Sequence, residues 1–180
     1  MQDEESLVHR LQEQDDEAWT GLYEEFFNRI YRYVYLRVGN RAEAEDLTGQ
    51  VFLKALQSIS SFRWRGVPFS AWLFRIAHNQ VVDYMRKARL RRTVPLGESL
   101  PATSADPVLL AEQRSTLGRL AHFVGQLTGA QRAVIELRFA GGLSTAETAK
   151  VLGKSPGAVK ALQHSALVAL RKRLSRDRDG

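Results

Sequence analysis

Residues 143–174 read LSTAETAKVLGKSPGAVKALQHSALVALRKRL, and their capping chemistry marks two helices joined by a tight turn. Ser144 followed three residues later by Glu147 is a capping box, in which each side chain satisfies the free backbone amide of the other residue. Gly153 ends that helix, because glycine takes the left-handed conformation of a sharp turn without a Cβ clash. Ser155 caps the next helix, and Pro156 stands at its first position, where no amide hydrogen is missed. Ala149, Gly153 and Val159 then supply a small residue at the helix crossing, the turn glycine and an apolar anchor. That spacing describes a helix-turn-helix. On its second helix Val159, Leu162, Ala166, Leu167 and Leu170 are expected to face inward, leaving Gly157, Lys160, Ala161, His164 and Ser165 exposed near the helix start. The plain alternative is an αα-hairpin in a bundle with a solvated basic face. Caps, turn, anchor and the basic tail of Arg171, Lys172, Arg173 and Arg176 agree on DNA instead, with the tail as a nonspecific phosphate contact.

Charge divides the rest of the chain. The 180 residues carry 26 Lys+Arg against 20 Asp+Glu, a net +6, but unevenly. Residues 1–18 hold seven acids and one base, residues 63–92 eight bases and one acid, and residues 119–180 eleven bases and four acids. Between the two basic zones, residues 93–118 have one base and three acids, with Pro95, Pro101 and Pro107 among Gly, Ser, Thr and Ala. Proline at that density forbids continuous helix, so an extended linker is expected over 93–111. It separates a first domain, 1–92, from a second, 112–180.

Both domains have helical period. Trp19, Leu22, Tyr23, Phe26, Phe27, Ile30, Tyr31 and Val34 step by threes and fours along one stripe. Helices are expected near 17–38, 43–59 and 69–90, with a short one before them and breaks at Gly39-Asn40 and Gly66-Val67-Pro68. No alternating segment suits a strand. The fold class is therefore all-α: two small helical domains joined by a Pro-rich extended linker, the second containing the helix-turn-helix.

Composition removes several functions. Hydrophobic content of 44% with 26% charged residues is that of a globular chain. Zero cysteines exclude disulfides, Cys-ligated zinc, iron–sulfur clusters and thiol catalysis. His9, His78, His122 and His164 never stand at i, i+4, so no metal and no cofactor are expected. The acidic N-terminus lacks an apolar segment and nothing later is long enough to span a bilayer, which points to the cytoplasm without direct membrane insertion.

Residues 62–92, FRWRGVPFSAWLFRIAHNQVVDYMRKARLRR, interleave Phe62, Trp64, Phe69, Trp72 and Phe74 with eight basic residues. Such a mixture suits single-stranded nucleic acid, whose bases stack on rings while arginines hold phosphates. Phe69, Trp72, Leu73 and Ile76 fit a buried helix face; Arg63, Trp64 and Arg65, in the loop, are less easily assigned to packing. Arg75, Asn79, Asp83 and Arg86 form a polar stripe opposite that face, suited to DNA edges and phosphates. A solvated face with Asp83 paired to Arg86 or Lys87 is the alternative. Upstream, AEAEDLTGQVFLKAL sets Glu43, Asp46 and Gln50 on one polar side with Leu47, Val51 and Phe52 nearby. A divalent-cation nuclease site would need further ordered acids, so a protein-docking face is the better reading.

Taken together, DLTGQVF (46–52), SFRWRGVPFSAWLFRIAHNQVVDYMR (61–86) and LTGAQRAVIELRFAGGLSTAETAKVLGKSPGAVKALQHSAL (127–167) resemble a bacterial RNA polymerase sigma factor of the short, two-domain extracytoplasmic-function (ECF) group. The resemblance covers roughly residues 15–175 in the expected order. It implies a transcription initiation factor, not an enzyme, that binds core RNA polymerase and promoter DNA. By match, Asp46, Leu47, Gln50 and Phe52 would dock on the polymerase clamp. Arg63, Ser70, Arg75, Asn79, Asp83 and Arg86 would recognise and open the -10 element, and Lys160, Gln163, His164 and Ser165 would enter the major groove at the -35 element. The linker would thread the polymerase channel. An anti-sigma partner masking both DNA-facing domains is also implied. Ser165 stands where the family usually has arginine, and the RWRGVP loop is one residue longer and more basic than the common form. Two other classes fit fewer residues: a free-standing helix-turn-helix regulator binding duplex DNA as a dimer, and a recombinase or nuclease with a helix-turn-helix tail.

Overall fold

The structure is a computed structural model and describes residues 2–63, 65, 67–93 and 116–178. Helix α1 spans Gln2–Gln12, α2 Asp16–Val38, α3 Arg41–Ser58 and α4 Phe69–Thr93, with a 3-10 turn at Ile59–Ser61. The second half comprises α5 (Thr116–Gly125), α6 (Gly129–Ile135), a π-helical segment (Glu136–Ala140), α7 (Thr145–Leu152) and α8 (Pro156–Arg178). No strand occurs among the described residues, and none of the helices there is long and apolar enough to cross a membrane. Beyond Thr93, the expected linker lies outside the described residues.

Local chemistry sets the helix ends. Asp15 Oδ1 accepts from the amides of Glu17 and Ala18 at 3.0 and 3.1 Å and starts α2. Arg10 holds the Asp15 carboxylate at 2.7 Å, and that hydrogen bond lowers its pKa. Gly39, at φ 69°, closes α2. Asn40 Oδ1 then accepts from Glu43 N, so α3 begins at Arg41, ahead of the expected 43. The capping box of Ser144 and Glu147 is formed, and Gly153 at φ 62° ends α7. A second capping box, Thr128 with Gln131, starts α6.

Packing departs from two separate cores. One apolar cluster runs from Leu22, Ile30 and Val51 through Phe69, Leu73, Phe74 and Ala77 into Leu137, Leu143 and Val151 of the second half. The second half keeps only two small clusters of its own, Val124, Leu127, Ile135 and Ala166, and Val134, Ala149 and Val159. Helix α7 lies across α4, while α5 and the π segment lie on α2. Phe74 is central: it is fully buried, meets Tyr33 edge-on at 5.9 Å and lies under the Arg29 guanidinium at 5.6 Å. A Cβ on Gly141 would come within 2.7 Å of its ring, so the backbone there needs glycine.

Polar groups tie the same joint. Arg37 Nη1 of α2 reaches Glu136 Oε2 at 3.1 Å, with Glu136 wholly excluded from solvent. Burial pushes the Glu136 carboxyl up to about 7, against the opposing pull of Arg37 and Arg132. Nearby, Tyr33 Oη and His78 Nδ1 are 2.9 Å apart; burial raises the Tyr33 pKa and lowers that of His78.

Two stability outcomes are expected. Phe74→Ala should lower the unfolding free energy by about 3–5 kcal/mol, read from the shift in a urea midpoint at unchanged slope. The second concerns pH. The folded chain holds a proton on Glu136 that the unfolded chain releases from the ordinary value of 4.5 upward, so this stabilisation is complete below that value and lost as pH rises toward about 7. His78 acts oppositely, its contribution fading as pH falls below 6.5. Comparison with Glu136→Gln cancels the histidine. The melting temperature of Glu136→Gln relative to wild type should climb from about pH 5 to about pH 8; a flat difference would mean the carboxylate is ionised throughout.

Candidate nucleic-acid interface

Helix α8 is anchored before it is exposed. Ser155 Oγ accepts from Ala158 N at 3.1 Å, and Val159, fully buried, packs with Val134 and Ala149. Gly157, Lys160, Ala161, His164 and Ser165 are exposed, as the spacing predicts. The four residues assigned to the major groove nevertheless divide. Lys160 and His164 have no side-chain partner among the described residues. Gln163 is half-buried, and its Oε1 accepts from Arg138 Nε at 2.9 Å. Arg138 also donates to the Leu143 carbonyl, so the π segment fixes Gln163. Ser165 Oγ accepts from Gln131 Nε2 at 3.0 Å and donates to the Leu162 carbonyl. Leu167 corrects the inward set: it is 44% exposed, beside exposed Val168, because Ala166, Ala169 and Leu170 fill the contact with the Val124 cluster.

On α4, Arg75, Asn79, Asp83 and Arg86 are all exposed, opposite buried Leu73, Phe74, Ala77 and Val81. Arg86 Nη2 sits 3.1 Å from Asp83 Oδ1, the pairing that the solvated-face alternative expects. A pair so exposed contributes at most about 1 kcal/mol and yields readily to a phosphate. Ser70, expected with these residues, is not on the exposed stripe. It is buried, and its hydroxyl donates to the Glu147 carboxylate of α7.

The loop before α4 is held from beneath. Gln12 Nε2 of α1 donates to the carbonyls of Ile59 and Phe62 at 3.0 and 2.9 Å. Phe62 is core, not a stacking platform; its ring lies 5.9 Å from that of Phe69 and 4.8 Å from that of Trp72. Arg63 is exposed and folds back to the Ser60 carbonyl at 3.1 Å. Arg65 is exposed, while Trp64 lies outside the described residues.

On α3 the docking candidates also divide. Asp46 and Gln50 are exposed and linked, Gln50 Nε2 donating to Asp46 Oδ2 at 2.7 Å. Leu47 and Phe52 are buried at 4% and 8% exposure, with Phe52 packed 4.9 Å from Tyr23. They shape the helix from inside. Beside Phe52 opens an apolar groove with Trp19, Tyr23, Leu53 and Leu56, of which Leu53 is 55% exposed. Among the described residues no group of three His, Asp or Glu side chains could hold a metal ion.

The positioning groups Arg37, Arg138, Gln131 and Glu136 were not singled out from the sequence. Only Gln131 carries a local signal, the Thr-x-x-Gln capping box.

Residues 22–91 match the family model of Sigma-70 region 2, and residues 124–172 that of Sigma-70, region 4. The chain is 40% identical over 173 residues to the ECF RNA polymerase sigma factor BldN of Streptomyces coelicolor, covering 95% of this chain and 66% of that relative. It is 32% identical to the ECF RNA polymerase sigma factor SigX of Bacillus subtilis, covering 88% and 84% of the two chains. Among solved structures, CnrH in complex with the cytosolic domain of CnrY is similar with a TM-score of 0.73 and 25% identity, over 97% of this chain and 98% of that one. The sigma factor RpoE of Bartonella quintana, in complex with the anti-sigma factor NepR, shares the fold at a TM-score of 0.66 and 22% identity, over 87% and 96%. Two matched modules in this order, each with an exposed basic face on a capped or anchored helix, place the chain in one family: it belongs to the ECF RNA polymerase sigma factors, which are transcription initiation factors and not enzymes.

Proposed function

We propose that residues 1–92 dock on core RNA polymerase and engage the -10 element, that 93–111 connect the modules, and that 112–180 engage the -35 element, all in the cytoplasm. One observation carries this reading: two exposed polar or basic surfaces, Arg75–Asn79–Arg86 on α4 and Lys160–His164 on α8, each stand on a helix whose opposite side is core. Arginine and asparagine forks suit base edges and phosphates, and the amino end of a major-groove helix is where Lys160 stands. Polymerase docking is assigned to Asp46 and Gln50 with the neighbouring Tyr23, Leu53 and Leu56, since Leu47 and Phe52 are buried. CnrH is solved in complex with the cytosolic domain of CnrY, and the sigma factor RpoE with the anti-sigma factor NepR; an anti-sigma partner for this chain is proposed on that likeness.

Transcription of genomic DNA by sigma-free core polymerase, with and without this chain, tests the whole. New RNA 5′ ends sharing two upstream motifs are expected only when it is present; failure to bind core polymerase would sink the reading. Within that assay, Lys160→Ala should weaken promoter binding evenly across sequences and reduce the salt slope by about 1, as for one lost phosphate contact. His164→Ala should cost about 1–3 kcal/mol at the -35 motif if the ring meets a base edge. Asp46→Arg should weaken polymerase binding at unchanged melting temperature, whereas Phe52→Ala should lower the melting temperature itself.

A further inference from the structure

Helix α1 precedes the segment that matches region 2, which begins at residue 22, and none of the residues assigned above to polymerase or DNA stands on it. Its last turn is nevertheless fixed from several sides. Leu11 is fully buried, and Trp19 Nε1 of α2 donates to the Leu11 carbonyl at 3.2 Å. Arg10, in the same turn, is tied to Asp15 and Glu17. Gln12 therefore stands on a rigid mount. From there its Nε2 donates to two main-chain carbonyls at once, those of Ile59 and Phe62, 47 and 50 positions along the chain.

Those two carbonyls bracket the point at which the arginine-bearing loop leaves the body. Ile59 opens the 3-10 turn and Phe62 is the first residue after it. The Phe62 ring is held from α4 by Phe69 and Trp72, so α4 fixes the side chain of this residue while α1 fixes its main chain. Arg63, next in the chain and exposed, returns to the Ser60 carbonyl inside the same turn. A carbonyl only accepts, so position 12 has to supply a donor. An apolar side chain of the same length would free the Phe62 carbonyl and leave that of Ile59 to the Phe62 amide alone. The direction in which Arg63 departs would then lose its main-chain anchor.

We propose that α1 is the support of the loop that meets the -10 element, and that Gln12 is its positioning residue: by holding the carbonyls on either side of the 3-10 turn it sets the direction in which Arg63 and the exposed Arg65 reach the opened strand. Gln12 acts through Arg63 and not on the DNA itself. The proposal rests on the assignment of residues 1–92 to the -10 element under the functional reading above.

Gln12→Met removes the donor at nearly constant length and helix propensity, and Gln12→Lys restores a donor on a stem long enough to reach. Each full-length variant is combined with core RNA polymerase on a promoter fragment located by the mapped RNA 5′ ends, with 2-aminopurine in the non-template strand of the -10 element to report unpairing. Gln12→Met should slow opening by about 10-fold, the equivalent of one net hydrogen bond, at unchanged affinity for core polymerase, and Gln12→Lys should recover most of the rate. Arg63→Ala should slow opening by a smaller factor in Gln12→Met than in wild type, the nonadditivity of residues that act as one unit. Gln12→Asn, which keeps the amide one methylene short of both carbonyls, carries the same expectation where Gln12→Met does not fold. Opening at the wild-type rate in Gln12→Met, or strictly additive effects of the Gln12 and Arg63 substitutions, overturns the proposal. So does a loss of opening that follows a lowered melting temperature and weaker polymerase binding without rescue by Gln12→Lys, which would make Gln12 a residue of the fold alone. A wild-type complex that opens no promoter overturns the functional reading and the positioning role with it, and is told apart because the wild type itself is then silent.

Discussion

A carboxylate with no solvent exposure has to be met by a cation or keep its proton, and Glu136 is arranged to do a little of both. Its Oε2 faces Arg37 at 3.1 Å, its Oε1 has no partner, and burial pushes its pKa up to about 7. Such a pair is poor evidence of stability, because desolvating both groups offsets most of their attraction; yet removing one partner alone costs about 3–5 kcal/mol. The pair therefore specifies an arrangement more than it strengthens one. Arg37 is on α2 of the first module and Glu136 on the π segment of the helix-turn-helix module, so it fixes which surfaces of the two modules meet.

The π segment makes that possible. Glu136 reaches α2, Leu137 is fully buried in the shared core, and Arg138 turns to Gln163 of α8 while also donating to the Leu143 carbonyl just before α7. Three consecutive residues thus address three partners, and Phe139, next in line, is 58% exposed. The wider π turn is a common device where a helix must redirect side chains at a working site.

Helix boundaries were readable in the sequence because caps are local: Ser144 with Glu147, Gly153, Ser155-Pro156 and Gly39-Asn40 each act within four residues. Periodicity likewise located Leu73, Val159 and Ala166 in the core. What escaped was long-range. Glu136, within AVIELRF, carries no local signal of burial, and it is excluded from solvent where the π segment meets α2. Ser70 is placed by motif match among the residues of the -10 set, and its cover by α7 has no local signal in the sequence. In DLTGQVF the motif matched a surface, but a helix face two residues wide cannot expose Asp46, Leu47, Gln50 and Phe52 together, and Leu47 and Phe52 went to the core. Phe62 was taken into the core by Phe69 and Trp72, a cluster that no spacing rule announces.

The same long-range constraints shape how the recognition helix presents itself. An arginine after His164 would extend a cation well past the backbone, whereas the Ser165 hydroxyl is short and already joined to Gln131 and the Leu162 carbonyl. Gln163 is likewise held by Arg138. Both tethers run to the scaffold that precedes α7, so they set the rotation of α8 about its own axis rather than adding contacts beyond it. Lys160 and His164, one turn apart and exposed, are then the side chains with freedom to adjust to a groove. Under the assignment proposed above, contacts to a -35 element would fall on one narrow edge of the helix, which α6 and the π segment hold in register through Gln131 and Arg138.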